Sequence, residues 1–510
     1  MIDSKRIAKN TVFLYTRLFF ILLTTLYTSR VVIDKLGIED FGLYNVIFSA
    51  IGLLSFLNGT LSTGTSRFIT YDLGLGDIQK LRHTFSTVFV THLMLTGLVL
   101  LLGETIGLWY LYHVMVIPPE RFHAALLVYQ LSIFITVVSI IQVPFTAEIM
   151  AHEKMEVYAY MGIFEAVGKI VIVFFLTLAA ADKMVLYAAL VALVSLLITL
   201  FYVFYTRRKF EEVQFSLNFN KVTFASIMKF SGWNIIANLS STFVVEGVIM
   251  LFNLFFLPVV VASQAVASQI SRAMMQFVDN VRVAVNPQVI KLYAEQNYEE
   301  SRKLTLKSAE YIFDLLLLLC LPCILVMPAL LDLWLVKVPA YAVIFAQIIV
   351  FQNIIENFNA AFYTPMVAAN KVKKNSLAAI FLCIGQFFLL YFLFKHGVDA
   401  IWARYTALFV SFAFSFAVKP YILRHDIDYS YKELYSCIGK CLKVLFVAGI
   451  LTVGINYLLP QTTIYISALA VLLDVALVAL VSYLFMDKKV RTMLIGVLLR
   501  KVKSITFYGS

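Results

Sequence analysis

Ser66–Phe89, SRFITYDLGLGDIQKLRHTFSTVF, and Asn286–Phe313, NPQVIKLYAEQNYEESRKLTLKSAEYIF, are two versions of one element. Each is the polar end of an unusually long apolar helix. A short turn with Gly or Asn follows, then a Lys-Leu pair just before the next apolar span. The correspondence is of structure, not of letters. It divides the chain into two halves of the same orientation, the plan of transporters built from parallel repeats about an axis along the membrane normal, with a cavity between the halves.

On either side of the repeat, apolar windows recur from end to end, each long enough for a hydrocarbon core that takes about 20 helical residues. The first half holds Thr11–Val32, Phe41–Leu61, Thr84–Leu108, Ala124–Phe145, Val157–Ala179 and Met184–Tyr205. The second holds Trp233–Leu257, Val259–Val285, Ala309–Leu331, Tyr341–Ala368, Leu377–Leu393 and Ala400–Val418, and Cys441–Leu459 and Ile464–Phe485 form a terminal pair. The expected fold is therefore an all-α integral membrane protein of about fourteen transmembrane helices. Two pseudo-symmetric six-helix lobes surround a central cavity, and a terminal helix pair follows. The expected division is 1–206 for the first lobe, 207–232 for a cytoplasmic linker, 233–421 for the second lobe, and 422–510 for the last pair and a basic tail.

Composition supports this class. Of 510 residues 61% are hydrophobic and only 14% charged, against roughly 25% charged in soluble domains. A water-soluble fold is excluded, and strands would instead show alternating segments of about 10 residues. Most of the 41 Lys and Arg fall in loops that this map assigns to one side, whereas the other side holds Lys35, Arg121, Lys183, Lys337, Lys395 and Arg404. By the positive-inside rule both termini are cytoplasmic, and the net charge of +11 is mostly topogenic. No nucleic-acid partner is implied. The first segment contains Arg17 and lacks a small-residue cleavage site, so it reads as a retained helix. Cys320 and Cys323 form a CxxC inside LLCLPCIL, a setting for packing rather than metal or redox chemistry. No cofactor, metal or disulfide framework is expected.

Ionisable groups at mid-depth cost at least about 2.5 kcal/mol each, so they are the functional candidates. Lys169, Glu246, Arg272, Glu356 and Asp474 lie deepest, ~15 to 23 Å from either helix end at ~1.5 Å per residue. Asn234, Asn238, Thr242 and Glu246 follow one another at four-residue spacing, one stripe of the seventh span. On the eighth, Ser268, Arg272, Gln276 and Asp279 share a face, with Gln269 beside them. Arg17, Thr24 and Thr28 align on the first span, Asn45 and Ser49 on the second, and the tenth carries Gln352, Asn353, Glu356 and Asn357. These faces describe a hydrophilic cavity. Polar stripes also glue helices together, and Glu165 with Lys169 at i, i+4 can simply neutralise one another. Arginine suits phosphate through its planar, always-charged fork, but acids balance the bases here and the cavity is mixed. No GxxxxGK[ST] loop occurs. Energy would then come from an ion gradient, with Glu246, Asp279 or Glu356 carrying a proton or accepting sodium.

Ser29–Gly74, SRVVIDKLGIEDFGLYNVIFSAIGLLSFLNGTLSTGTSRFITYDLG, with LGxxxFGLY at Leu36–Tyr44, and MAHEKMEVYA at Met150–Ala159, resembles the Wzx-type polysaccharide and O-antigen flippases. These belong to the multidrug/oligosaccharidyl-lipid/polysaccharide exporter superfamily. The resemblance covers essentially the whole chain. It implies a bacterial inner-membrane, non-enzymatic flippase that moves undecaprenyl-diphosphate-linked oligosaccharide by alternating access. Its place would be in polysaccharide biosynthesis, such as the O-antigen of lipopolysaccharide, beside a polysaccharide polymerase and glycosyltransferases. By the same resemblance Arg30, Arg67 and Arg272 are the first candidates for diphosphate or sugar contacts, with Arg17, Asn234, Asn238, Gln269 and Gln276 completing the substrate-binding set. The terminal helices resemble those of lipid II flippases.

Two alternatives compete. A cation-coupled multidrug exporter of the same superfamily normally has twelve helices and lacks the terminal pair. A membrane glycosyltransferase or polymerase would need an outer catalytic loop, and the outer loops here are short, with His113 and His123 the nearby histidines.

Overall fold

The computed structural model describes residues 4–152, 154–178, 180–214, 218–459, 464–486 and 491. Among them every regular element is helical. The first half contains α1 (Ser4–Leu36), α2 (Ile38–Gly52), α3 (Ser55–Leu75), α4 (Ile78–Leu102), α5 (Leu108–His113), α6 (Phe122–Ala151), α7 (Met155–Leu178) and α8 (Lys183–Lys209). Then come α9 (Lys221–Phe255), α10 (Pro258–Ala294), α11 (Tyr298–Leu325), α12 (Met327–Trp334), α13 (Ala342–Ala361), α14 (Tyr363–Ala368), α15 (Lys373–Lys395), α16 (Trp402–Ala413) and α17 (Lys419–Asp426). The chain closes with α18 (Tyr431–Leu458) and α19 (Ile464–Phe485). Eleven helical runs among the described residues are long and apolar enough to cross a membrane. The all-helical membrane class is thus observed, while a count of fourteen also needs α1, the α2–α3 pair and α10. The tail beyond Met486, apart from Arg491, and the side chains of Arg17 and Asn234 lie outside the described residues.

The repeat is visible in its turns. Gly76 ends α3 at φ 73°, and the Asp77 side chain caps α4 by accepting from the Lys80 amide at 3.0 Å. In the second half Gln296 takes φ 62°, and Asn297 caps α11 by accepting from the Glu300 amide at 3.4 Å. A left-handed residue followed by an Asx cap stops one helix and starts the next, because the capping oxygen satisfies one of the orphaned amides.

Two spans are less regular than their sequence suggests. The second breaks at Leu53–Leu54 into α2 and α3. The third passes through a π-helical turn, Gly103–Gly107, before α5. The cause of the latter is a phenol. Tyr129 Oη donates to the Gly103 carbonyl at 2.6 Å, and a Cβ at Gly107 would lie 2.0 Å from that oxygen. A group inserted into the backbone ladder is a recognised source of such a bulge.

The chain packs as two compact units, and neither follows the six-helix boundaries. The first comprises Met1–Ala267, Asp332–Phe345 and Lys373–Val410, and the second Ser268–Leu331, Ala346–Val372 and Ser411–Ser510. In the first, α1 lies along α7, α6 along α8, and α9 against α2, α3 and α15; in the second, α11 packs on α18 and α19. Residues from both sequence halves interlock inside the first unit. Asn253, 1% exposed, brackets Val116, accepting from its amide and donating to its carbonyl, both at 3.0 Å. Trp334 Nε1 donates to the Leu26 carbonyl at 2.7 Å. Gly42 lies so close to Pro258 that a Cβ would fall 2.2 Å from the proline carbonyl oxygen. Beside it, Arg121 bridges Asp40 at 2.6 Å and Asp182 at 2.5 Å, tying the starts of α2, α6 and α8.

Gly42→Ala is expected to lower the thermal midpoint in detergent, since overpacking against backbone costs about 1–3 kcal/mol. Gly97→Ala in α4, where an added Cβ meets nothing within 4 Å, should raise it slightly by removing unfolded-state entropy. Equal shifts in both variants would remove the close-packing account.

Candidate functional site

Each unit holds a polar cluster within helices long and apolar enough to cross a membrane. In the second unit it is built on Glu356 of α13. Glu356 Oε1 accepts from Ser411 Oγ at 2.5 Å and Oε2 from Asn359 Nδ2 at 2.7 Å. Ser411 Oγ in turn accepts from Gln352 Nε2 at 2.9 Å. Cations flank this relay. Arg282 of α10 donates to Asp279 Oδ1 at 3.0 Å and to Asn357 Oδ1 at 3.5 Å, and stands within electrostatic range of Glu356. Lys419, only 1% exposed, is also within range of Glu356, with its ammonium 4.7 Å from the Tyr363 ring centroid.

The local fold explains how α16 and α17 reach this cluster. They run on through a π-helical turn, Phe414–Val418, so the span does not end at Val418. The wider turn places Ser411, Ser415 and Lys419 on the packed side, with Ser415 Oγ bound to the Ile355 carbonyl at 3.0 Å. The expected span Ala400–Val418 stops one residue short of Lys419, whereas the helix continues, with Pro420 in the first turn of α17, where a missing N–H is tolerated. Arg404, expected in an outer loop, is 7% exposed and lies over Phe345, ring centroid 6.0 Å away.

In the first unit Thr28, Gln142, Glu165, Lys169, Tyr187 and Ser195 line a cavity of about 290 Å³. Lys169 Nζ pairs with Glu165 Oε1 at 2.8 Å, and Gln142 accepts from Thr199 Oγ1 at 2.8 Å. The pair therefore neutralises itself and lines a cavity at once. A second cavity, about 380 Å³, is walled by Tyr27, Arg30, Asp34, Lys35, Phe174 and Thr177.

The other sequence candidates fall as follows. Arg30 is exposed and donates to the Leu333 carbonyl at 3.1 Å. Arg67 is exposed, 6.0 Å from the Phe68 ring centroid. Asn238 and Arg272 are exposed, and Gln269 and Gln276 half-buried, with Gln269 Oε1 buried and accepting no hydrogen bond among the described residues. Glu246 packs on the bare backbone of Gly52, where an added Cβ would lie 3.1 Å from the carboxyl carbon. Asp474 is fully buried and held by Asn456 Nδ2 at 2.7 Å, a structural tie within the terminal pair. Cys320 Sγ rests 3.7 Å from Met274 Sδ, a packing contact. Thus the structure brings together Asp279, Arg282 and Glu356, and adds Lys419, Ser411 and Asn359.

Ion-paired polar clusters thus sit inside apolar helices of both units. No family model and no curated protein matches the chain by sequence. Solved structures do match it in fold. A multidrug resistance MATE family transporter of the MOP superfamily, in an inward-facing conformation, is 15% identical, covers 78% of this chain and 94% of its own, and superposes with TM-score 0.64. The lipid II flippase MurJ, in an inward closed conformation, is 12% identical, covers 96% of this chain and all of its own, with TM-score 0.67. A MOP superfamily transporter from Pyrococcus furiosus is 14% identical over 82% of this chain and 96% of its own, with TM-score 0.58. The chain shares the fold of these transporters.

If Glu356 and Lys419 compensate one another, Glu356→Gln and Lys419→Met should each destabilise the protein in detergent. The double variant should recover about 1–3 kcal/mol relative to the sum. Strict additivity would dissolve the pair.

Proposed function

We propose that the chain is a flippase for undecaprenyl-diphosphate-linked oligosaccharide, working by alternating access in the bacterial inner membrane with both termini in the cytoplasm. The observation that carries this reading is coverage. The lipid II flippase accounts for 96% of the chain, the terminal pair included, whereas the MATE transporter accounts for 78%. The resemblance at Leu36–Tyr44 points the same way. In this reading residues 1–206 and 233–421 are the two lobes, 207–232 the cytoplasmic linker, and Arg17, Arg30, Arg67 and Arg272 meet the diphosphate. Asn234, Asn238, Gln269 and Gln276 contact sugar. Glu246, Asp279 and Glu356 are the candidates for proton or sodium coupling, Glu356 within a ready hydrogen-bond relay. The Asn253–Val116 and Gly42–Pro258 contacts form the outer gate, because loops poor in Lys and Arg face that side.

A cation-coupled multidrug exporter is the second reading, favoured by the balance of acids and bases and by the TM-score of 0.64 with the MATE transporter. Flipping decides between them. The protein is reconstituted in liposomes with undecaprenyl-diphosphate oligosaccharide in one leaflet, and accessibility to an added glycan-modifying enzyme is followed. Protein-dependent movement is expected, slowed at least about tenfold by Arg272→Ala, the worth of one charged hydrogen bond. Undiminished movement in the variant would remove Arg272 from the path, and no movement under a proton or sodium gradient would favour drug export. Separately, joining Val116→Cys to Asn253→Cys with a short reducible cross-linker, in a cysteine-free background, should stop movement until reductant is added. Continued movement in the cross-linked protein would exclude a gate there.

A further inference from the structure

Glu148 closes the last turn of α6 with its side chain fully buried, yet neither of its oxygens accepts a hydrogen bond among the described residues. What faces it is a histidine and a second carboxylate. His152 Nε2 lies 3.9 Å from Glu148 Oε2, and shares a 2.6 Å hydrogen bond with Glu212 Oε1 of the segment that follows α8. One ligand atom from each residue falls within 4.8 Å of the other two. The imidazole is held in plane by Phe210, stacked at 4.0 Å with an interplanar angle of 5°. Arg82 pairs with the neighbouring Glu211 at 4.0 Å.

Two carboxylates this close, one fully buried and the other 8% exposed at its side chain, repel one another. An uncompensated buried charge is costly. We propose that Glu148, His152 and Glu212 form a binding site for a divalent transition-metal ion of the zinc class. Imidazole nitrogen selects such ions over magnesium and calcium, which prefer oxygen alone. Tetrahedral zinc with bonds of ~2.0–2.2 Å holds its ligand atoms ~3.4 Å apart. The present separations of 2.6 and 3.9 Å straddle that value, so small side-chain rotations suffice. Binding breaks the His152–Glu212 hydrogen bond, and any proton on Nε2 leaves to solvent as the nitrogen takes the metal. Water completes the fourth position. The three ligands come from the end of α6, the corner after it and the segment after α8, so the ion ties that segment to the helix end. The site stands independently of what the protein transports.

The test uses untagged full-length protein in detergent, stripped with chelator and titrated with Zn²⁺ against a chromophoric competitor. One zinc per chain is expected, with affinity falling at least about tenfold in Glu148→Gln and in His152→Ala and unchanged in Lys154→Ala. Zn²⁺ should also slow amide exchange across residues 210–214 in the parent protein only. No saturable binding, or binding undiminished by His152→Ala, would overturn the site. His152 is the most exposed of the three ligands, at 24% of its side chain, so its variant carries the test if the buried glutamate variant does not fold.

Discussion

The contact on which the first unit depends is the approach of α2 to the corner between α9 and α10, where Gly42 meets the Pro258 backbone with no room for a methyl group. Around it the Asn253 amide satisfies both main-chain groups of Val116, in a loop that no helix ladder could serve. In a bilayer, irregular backbone survives only where protein or water satisfies it. The side-chain amide supplies that satisfaction, and the close approach fixes where it is supplied. Asp332–Phe345 and Lys373–Val410 join the same unit through other contacts, Trp334 on the Leu26 carbonyl and α15 along α9.

The same contact gives a physical reason for LGxxxFGLY. Gly42 is the close approach and Asp40, just before it, is the carboxylate that Arg121 clasps. Phe41 is buried, and Tyr44 sits 4.4 Å from Phe48 and 5.0 Å from Tyr187, ring to ring. A motif that carries no chemistry can still mark one decisive place in a fold.

The helical class and the repeat are legible in the sequence because both follow from patterns short in range, apolar length and turn chemistry. The turns at Gly76–Asp77 and Gln296–Asn297 are local devices, and local devices can be read. The bulge at Gly103–Gly107 is not legible, since its cause is Tyr129, a partner on α6 more than twenty residues away. Lys419 escapes the sequence reading for a related reason: it lies one residue past the expected span Ala400–Val418, and the helix that continues through the π-helical turn buries it. Glu148 gives no signal of its own, because a single glutamate at a helix end is ordinary without the knowledge that Glu212 returns to it.

Lys419 changes what Glu356 can do. A lone carboxylate at depth is expensive when ionised and ordinary when protonated, which suits a proton carrier. Glu356 is not alone, since Ser411 and Asn359 donate to it and two cations stand in range. Its charge is therefore tied to where Arg282 and Lys419 stand. A shift of α10 or of the π-helical turn would withdraw a positive charge and leave a buried carboxylate uncompensated, a state that taking up a cation or a proton relieves. The carboxylate and the cations therefore form one charge cluster, and the cost of any member depends on where the others stand.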